Sequence, residues 1–395
     1  MDEITDLLTR GVSEIVVKEH FEQLLKSGKK LRVKHGVDPT TSDLHLGYSV
    51  IYRKLKKFQE LGHTVVFLIG SFTARFGDPT DKSQARTMRT KKEVEAVAKD
   101  YIKQLSKILD IKKLEVVYNG DWFDKMSAED LLHLMSEFTV ARMLERDMFQ
   151  QRIKEGSEIG LHEPVYPLLQ GYDSVMIRSD LTVIGNDQKF NELQARPLQK
   201  ARGQAPQDVM IMPLLVGTDG KRKMSQSLGN YIGLTEPPSE QFGKIMSLPD
   251  EQIVTYFELT TEIPLTEIEK MRAEMRRGAN PKEYKMRLGR EIVSLYHGEK
   301  AAREAEQNFI SMFQKKELPS EIEVKKMRAG EWSLADLLVE SGLADSKNEA
   351  RRLIEQGGVR VNEKKIAETS AKIEIRKNST LIQGGKRRFM KIIGK

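Results

Sequence analysis

The chain has 395 residues, of which 39% are hydrophobic and 31% charged, with a formal net charge of +7 and no cysteine. That length suits two or three domains with buried cores. The composition excludes a disordered chain, a disulfide framework, a thiol nucleophile and a cysteine-based zinc site.

Residues 1–30 place Leu7, Leu8, Val16, Val17, Phe21, Leu24 and Leu25 at helical spacing. The N-terminal MDEITDLLTRG carries acids and lacks the apolar core of a signal sequence, and no apolar run reaches the roughly 20 residues of a membrane span. A cytoplasmic protein away from membranes is therefore expected. A strand is predicted over 31–37, then a loop over 38–44 containing Pro39, then a helix over 45–61 with Val50, Ile51, Leu55 and Phe58 on its buried face. A nearly continuous apolar strand follows at 64–70, as parallel strands buried on both faces tend to be. This strand–loop–helix–strand opening predicts an α/β, doubly wound, Rossmann-like parallel sheet. Further strands are expected at 114–118, 181–185 and 209–216. From 239 to about 314 the pattern is almost wholly helical, and 315–329 reads as a charged linker. The last 65 residues hold 14 Lys and Arg against 9 Asp and Glu. They predict helices at 334–341 and 346–356 and a hairpin-like turn and strand in GGVRVNEKKI. The expected domains are thus 1–238, 239–329 and 330–395.

Two segments carry chemistry. His45-Leu46-Gly47-Tyr48, after Asp38-Pro39, sits where a strand meets a helix start, whose unpaired N–H groups and positive dipole end suit a phosphate. Gly47 lets a nucleotide approach the backbone, and His45 can donate to a phosphate oxygen. The loop Lys221–Ser227, after the last expected strand, can wrap a polyphosphate with lysine charge and serine donors. Alone, each is also consistent with a helix cap or a solvated basic turn. Seven histidines are scattered without metal-like spacing, so no metal site is expected.

Together the two segments resemble the HIGH and KMSKS signatures of class I aminoacyl-tRNA synthetases, and the resemblance spans essentially the whole chain. Gly185–Asn191 looks like the family's nucleoside-binding segment, and LVGTDGKRKMSQSLGNYI is close to its tyrosine and tryptophan branches. The resemblance implies an ATP site of Asp38, His45, Gly47, Gly185, Asp187, Gln188, Lys223, Met224, Ser225 and Ser227, with ATP entering alongside Mg2+ as substrate. Tyr166, Gln170 and Asp173 stand at i, i+4 and i+7 and so share a helical face. Their match points to tyrosine: Tyr166 and Gln170 would hold the ammonium group and Asp173 the phenol hydroxyl. Gly36, Asp78, Asn119 and Gln188 complete the implied tyrosine site. Lys82 and Arg86 match a basic pair on a loop that meets the leaving pyrophosphate, joining His45 and Lys223 as the implied catalytic groups.

Residues 332–395 resemble a small ribosomal-protein-like RNA-binding module of the S-four type, in which Arg351, Arg352, Lys364 and Lys365 would meet RNA phosphates. The implied activity is ATP-dependent attachment of tyrosine to its tRNA, by a homodimer in which 138–153 would form an interface helix. The alternatives are a tryptophan-specific relative, whose substrate offers only an indole N–H, and a catalytically weakened RNA-binding protein on the same fold. Three positions depart from the family pattern: Tyr48 for the second His of HIGH, Gln226 for the second Lys of KMSKS, and Lys34 where one branch has a second phenol-binding Tyr.

Overall fold

Apolar runs such as Val65–Ile69 enter the sheet. In the computed structural model, which describes residues 3–39, 43–79, 89–313, 322–385 and 388–395, six strands form it. They are β1 (Glu14–Val16), β2 (Arg32–Val37), β3 (Thr64–Ile69), β4 (Leu114–Tyr118), β5 (Leu181–Gly185) and β6 (Asp208–Met212). Their order is β1-β6-β5-β2-β3-β4. β2 through β6 run parallel, and β5 and β6 are buried at every residue.

Two expectations at this end are corrected. Residues 3–30 are not continuous helix: Glu3–Thr9 and Lys18–Lys26 are helical, and β1 between them pairs antiparallel with β6. The open edge of β6 needs partners for its backbone groups, and three residues supply them. The last expected strand stops at Met212 rather than 216, because Pro213 has no N–H for the ladder.

The sheet prepares a crevice. Connections from β2 run one way through β3 and β4, then resume on its other side at β5 and β6. Ligands bind outside the carboxyl ends of strands at such a reversal. β2 and β5 pair only at Val33↔Leu181 and Lys34↔Thr182. One residue on, the ring Nδ1 of His35 takes the Val183 carbonyl at 2.7 Å. Burial holds that imidazole's pKa down at about 4, so a neutral ring donates there and the strands part.

The helix Leu46–Glu60 buries Val50, Tyr52, Leu55 and Phe58. The helix Tyr166–Ile177 has Pro167 in its first turn and is buried along most of its length. Gly171 permits its close approach to the chain at 194–195, where a Cβ would lie 3.0 Å from backbone atoms. The helical stretch after 238 is as expected, with helices Pro238–Met246, Ile253–Thr260, Leu265–Arg276, Pro281–His297 and Glu299–Phe313. The 138–153 segment is not one helix: Val140–Met143 and Asp147–Lys154 are separated by a break at 144–146, where Gln150 Nε2 turns back to the Leu144 carbonyl at 2.8 Å.

The chain divides into two compact units, 1–236 with 247–296 and 237–246 with 297–395. In the second, β7 (Val324–Met327), β8 (Gly330–Ser333), β9 (Val359–Val361), β10 (Lys364–Ile366), β11 (Lys372–Ile375), β12 (Thr380–Gly384) and β13 (Arg388–Gly394) form two sheets, ordered β10-β9-β12-β13-β7 and β11-β8. β7 lies inside the expected linker and pairs parallel with β13. Its lysines fit an edge strand. The helices Leu334–Ser341 and Lys347–Glu355 bury Leu334, Leu337, Leu338, Ala350 and Ile354 against β9, β12 and β13.

Candidate active site

An open cavity of about 810 Å³ lies where β2 and β5 part. It gathers residues from six separated stretches of the chain. From β2 and its loop come Lys34, Gly36 and Asp38. From the next helix start come His45 and Gly47, and from the loop after β3 comes Asp78. The helix Tyr166–Ile177 gives Tyr166, Gln170 and Asp173. The segment after β5 gives Asp187 and Gln188, and the loop after β6 gives Lys223 to Ser227. Asn119 is fully buried behind this wall. Lys82 and Arg86 lie outside the described residues.

At the closed end, Asp173 is 2% exposed. Its oxygens accept from Asn119 Nδ2 at 3.3 Å and Trp122 Nε1 at 3.1 Å. Burial nevertheless raises its pKa to about 8, against the opposing effect of Lys34 and these two donors. Asn119 also donates to Thr73 Oγ1 at 2.9 Å and accepts from the Phe72 N–H at 2.7 Å. Thr73 in turn donates to Asp38 Oδ1 at 2.7 Å, and Tyr166 OH donates to the other Asp38 oxygen at 2.7 Å. A Cβ on Gly70 would stand 1.9 Å from Asp38 Oδ1, so a side chain there would displace that carboxylate.

At the open end, His45 caps the helix Leu46–Glu60. Its Nδ1 accepts from the Gly47 N–H at 3.2 Å, which leaves the ring proton on Nε2. Burial lowers its pKa to about 4, so near neutral pH it is an uncharged donor. The Tyr48 ring lies 4.4 Å from it, centroid to centroid, at 35°. Gly47 is confined: a Cβ there would be 2.9 Å from the imidazole.

The Lys221–Ser227 loop is tied at both ends. Met224 N donates to Leu215 O at 2.7 Å. Asn230 accepts from Ser225 N at 2.9 Å and donates to the Lys223 carbonyl and to Asp219 Oδ2, each at 3.1 Å. Beyond the loop, Ile232 O accepts from Leu46 N at 2.9 Å and Leu44 O from Leu234 N at 2.8 Å, joining the two phosphate-side segments as a short antiparallel bridge. Lys223 Nζ is 3.5 Å from Asp187 Oδ2, and Gln226 reaches the Asp43 carbonyl.

Sequence reasoning missed Thr73, Trp122 and Glu192, whose partners lie far away in the chain, and Asn230, whose partners lie within its own loop. Glu192 left a local signal, as an acid close to the apolar Phe190 and Leu193 of KFNEL. In the second unit Arg351, Arg352, Lys364 and Lys365 are all exposed, the first two on one helix and the others on β10.

Comparison with known proteins bears on this geometry. Residues 26–314 match the family model of class I tRNA synthetases (W and Y), and 314–392 match that of the tyrosine–tRNA ligase SYY-like C-terminal domain. The tyrosine–tRNA ligase of Thermotoga maritima is 48% identical, over 100% of this chain and 98% of its own. That of Carboxydothermus hydrogenoformans is 48% identical, over 98% and 97%. In fold, the chain resembles the tyrosyl-tRNA synthetase of Archaeoglobus fulgidus complexed with L-tyrosine, with a TM-score of 0.60 and 24% identity over 77% of this chain and 100% of that one. A truncated mitochondrial tyrosyl-tRNA synthetase of Aspergillus nidulans gives 0.64 and 22%, over 79% and 94%. With two adjoining family models over most of its length and near-half identity to full-length relatives, the chain belongs to the tyrosine–tRNA ligase family of class I synthetases.

Proposed function

We propose that this chain activates tyrosine with ATP in the cavity between β2 and β5 and passes the tyrosyl group to its tRNA. The observation that carries the reading is the buried Asp173 acceptor at one end of a cavity whose other end holds His45, Lys223 and Ser225. A phenol hydroxyl satisfies Asp173; phenylalanine leaves it without that donor, and sites of this kind reject the analogue strongly. Tyr166, Gln170 and Asp78 then face the ammonium group, with Gly36, Asn119 and Gln188 shaping and supporting that end. Asp38, Gly47, Gly185, Asp187, Gln188, Met224 and Ser227 border the nucleotide.

The tyrosine carboxylate attacks the α-phosphorus of ATP, the bond to the bridging oxygen breaks, and pyrophosphate leaves. The terminal ribose hydroxyl of the tRNA then attacks the acyl carbon and AMP leaves. No protein nucleophile enters either step. The protein positions the reactants and stabilises charge on phosphate oxygens: Nε2–H of His45, Lys223, Ser225 and Ser227 serve here, with Lys82 and Arg86 at the pyrophosphate. Magnesium arrives on the nucleotide as part of that substrate.

Residues 1–238 supply this chemistry, 239–329 the anticodon side, and 330–395 an RNA contact through Arg351, Arg352, Lys364 and Lys365. Exposed Leu132, Met135, Val140, Ile153 and Leu161 support a homodimer. Among the described residues no helix is long and apolar enough to cross a membrane, and a cytoplasmic setting fits the reaction. The test is amino-acid-dependent exchange of labelled pyrophosphate into ATP with tyrosine, phenylalanine and tryptophan. Exchange with tyrosine alone is expected; exchange with tryptophan, or with none, would overturn the reading.

A further inference from the structure

Lys34 on β2 is fully buried in the floor of the cavity. Its ammonium donates to both oxygens of Glu192 at 3.0 Å, to Ser174 Oγ at 2.7 Å and to the Gln170 carbonyl at 3.3 Å. An ammonium has three N–H groups, and these wall acceptors take them all. Lys34 is therefore not a second partner for the phenol, although it stands where one branch of the family places a phenol-binding Tyr.

Its effect runs through Glu192, which is 1% exposed. The same carboxylate accepts from Gln170 Nε2 at 2.9 Å and Gln207 Nε2 at 3.1 Å. A carboxylate only accepts. It therefore draws the amide –NH2 of Gln170 toward itself and leaves Gln170 Oε1 on the other side, where Asn191 Nδ2 donates to it at 2.9 Å. Asn191 Nδ2 also donates to Gln188 Oε1 at 3.3 Å, and Gln188 Nε2 donates to Asp78 Oδ2 at 2.8 Å. The direction of every bond in this row follows from the charge at its head. What the row turns toward a cation is oxygen: Gln170, Gln188 and Asp78.

We propose that the buried Lys34–Glu192 pair is a positioning device for amino-group recognition, fixing Gln170 with its amide oxygen toward the substrate's ammonium without touching the substrate. The inference rests on the placement of that ammonium at Gln170. A neutral partner at 192 could donate as well as accept. The Gln170 amide could then settle either way, and one of its two settings would set –NH2 against the ammonium.

The experiment compares two competitive ligands, tyrosinol and its amine-free analogue 3-(4-hydroxyphenyl)propan-1-ol, on the full-length wild type, Glu192→Gln, and Lys34→Met/Glu192→Gln. The double variant leaves no lone charge in the wall, which is the usual reason such a change fails to fold. In wild type tyrosinol binds the tighter. In both variants that preference falls by about tenfold or more, the magnitude of one charge-assisted hydrogen bond. The tyrosine KM rises in parallel while the ATP KM and the affinity of the amine-free analogue stay as in wild type. A preference unchanged in either folded variant overturns the inference, as does loss of the folded state in both, which makes the pair structural only. Failure of wild type to exchange pyrophosphate with tyrosine is a separate result and strikes the proposed reaction instead.

Discussion

Asp173 meets two opposed demands. Burial favours its protonated form, yet a phenol hydroxyl needs an ionised acceptor. Its folded-state pKa, raised to about 8, lies above the unfolded value near 4. The stability linked to its proton is thus fully present below pH 4 and is lost as pH rises through 8. Tyrosine binding runs the other way: the tyrosine KM in pyrophosphate exchange falls as pH rises from 6 to 8, by up to about tenfold per unit. Asp173→Asn removes this dependence and weakens tyrosine activation; a slope that survives in that variant would exclude Asp173 as its source. His45, neutral above about pH 4, adds no inflection between pH 5 and 8. His45→Ala lowers the exchange rate by about a hundredfold or more, roughly 3 kcal/mol, measured as kcat. An inflection near pH 6 that vanishes with His45 would contradict the neutral-donor assignment.

Among elements, β3 was the most legible strand because Val65–Ile69 is a run of apolar residues buried on both faces. β1 was not legible, because three residues are too few to display alternation and their reason for pairing lies in β6, two hundred residues away. The same holds within the site. His45, Gln170 and Asp173 announce themselves through local spacing, whereas Trp122 and Thr73 act on partners that only folding brings close. Asn230 is 3% exposed and holds the Lys221–Ser227 loop through Ser225 N, the Lys223 carbonyl and Asp219. Asn230→Ala therefore raises the ATP KM by about tenfold, as expected for loss of bonds that include a charged partner, and leaves the tyrosine KM unchanged. Titrating each substrate in the exchange assay separates the two. A matched rise in both would mean that the loop supports the whole cavity.

At the scale of the molecule, the exposed basic residues of the second unit contribute charge rather than shape. Replacing Arg351, Arg352, Lys364 and Lys365 with Ala leaves pyrophosphate exchange intact, weakens tRNA binding, and flattens its salt dependence by up to about 0.9 per lost phosphate contact on logarithmic axes, fewer for single strands. An unchanged salt slope would place RNA elsewhere. The order of the chain has a further consequence. Residues 237–246 belong with 297–395, so the first unit is interrupted and resumes at 247–296. A ribosome delivers the N-terminus first. Ile253, Tyr256 and Phe257, each fully buried when the protein is folded, have not yet emerged when residue 236 does. At 5–20 residues per second, the nascent first unit waits on the order of 3–12 seconds for residues 237–296. During that interval the surface that those side chains cover stands open to chaperones and to neighbouring chains.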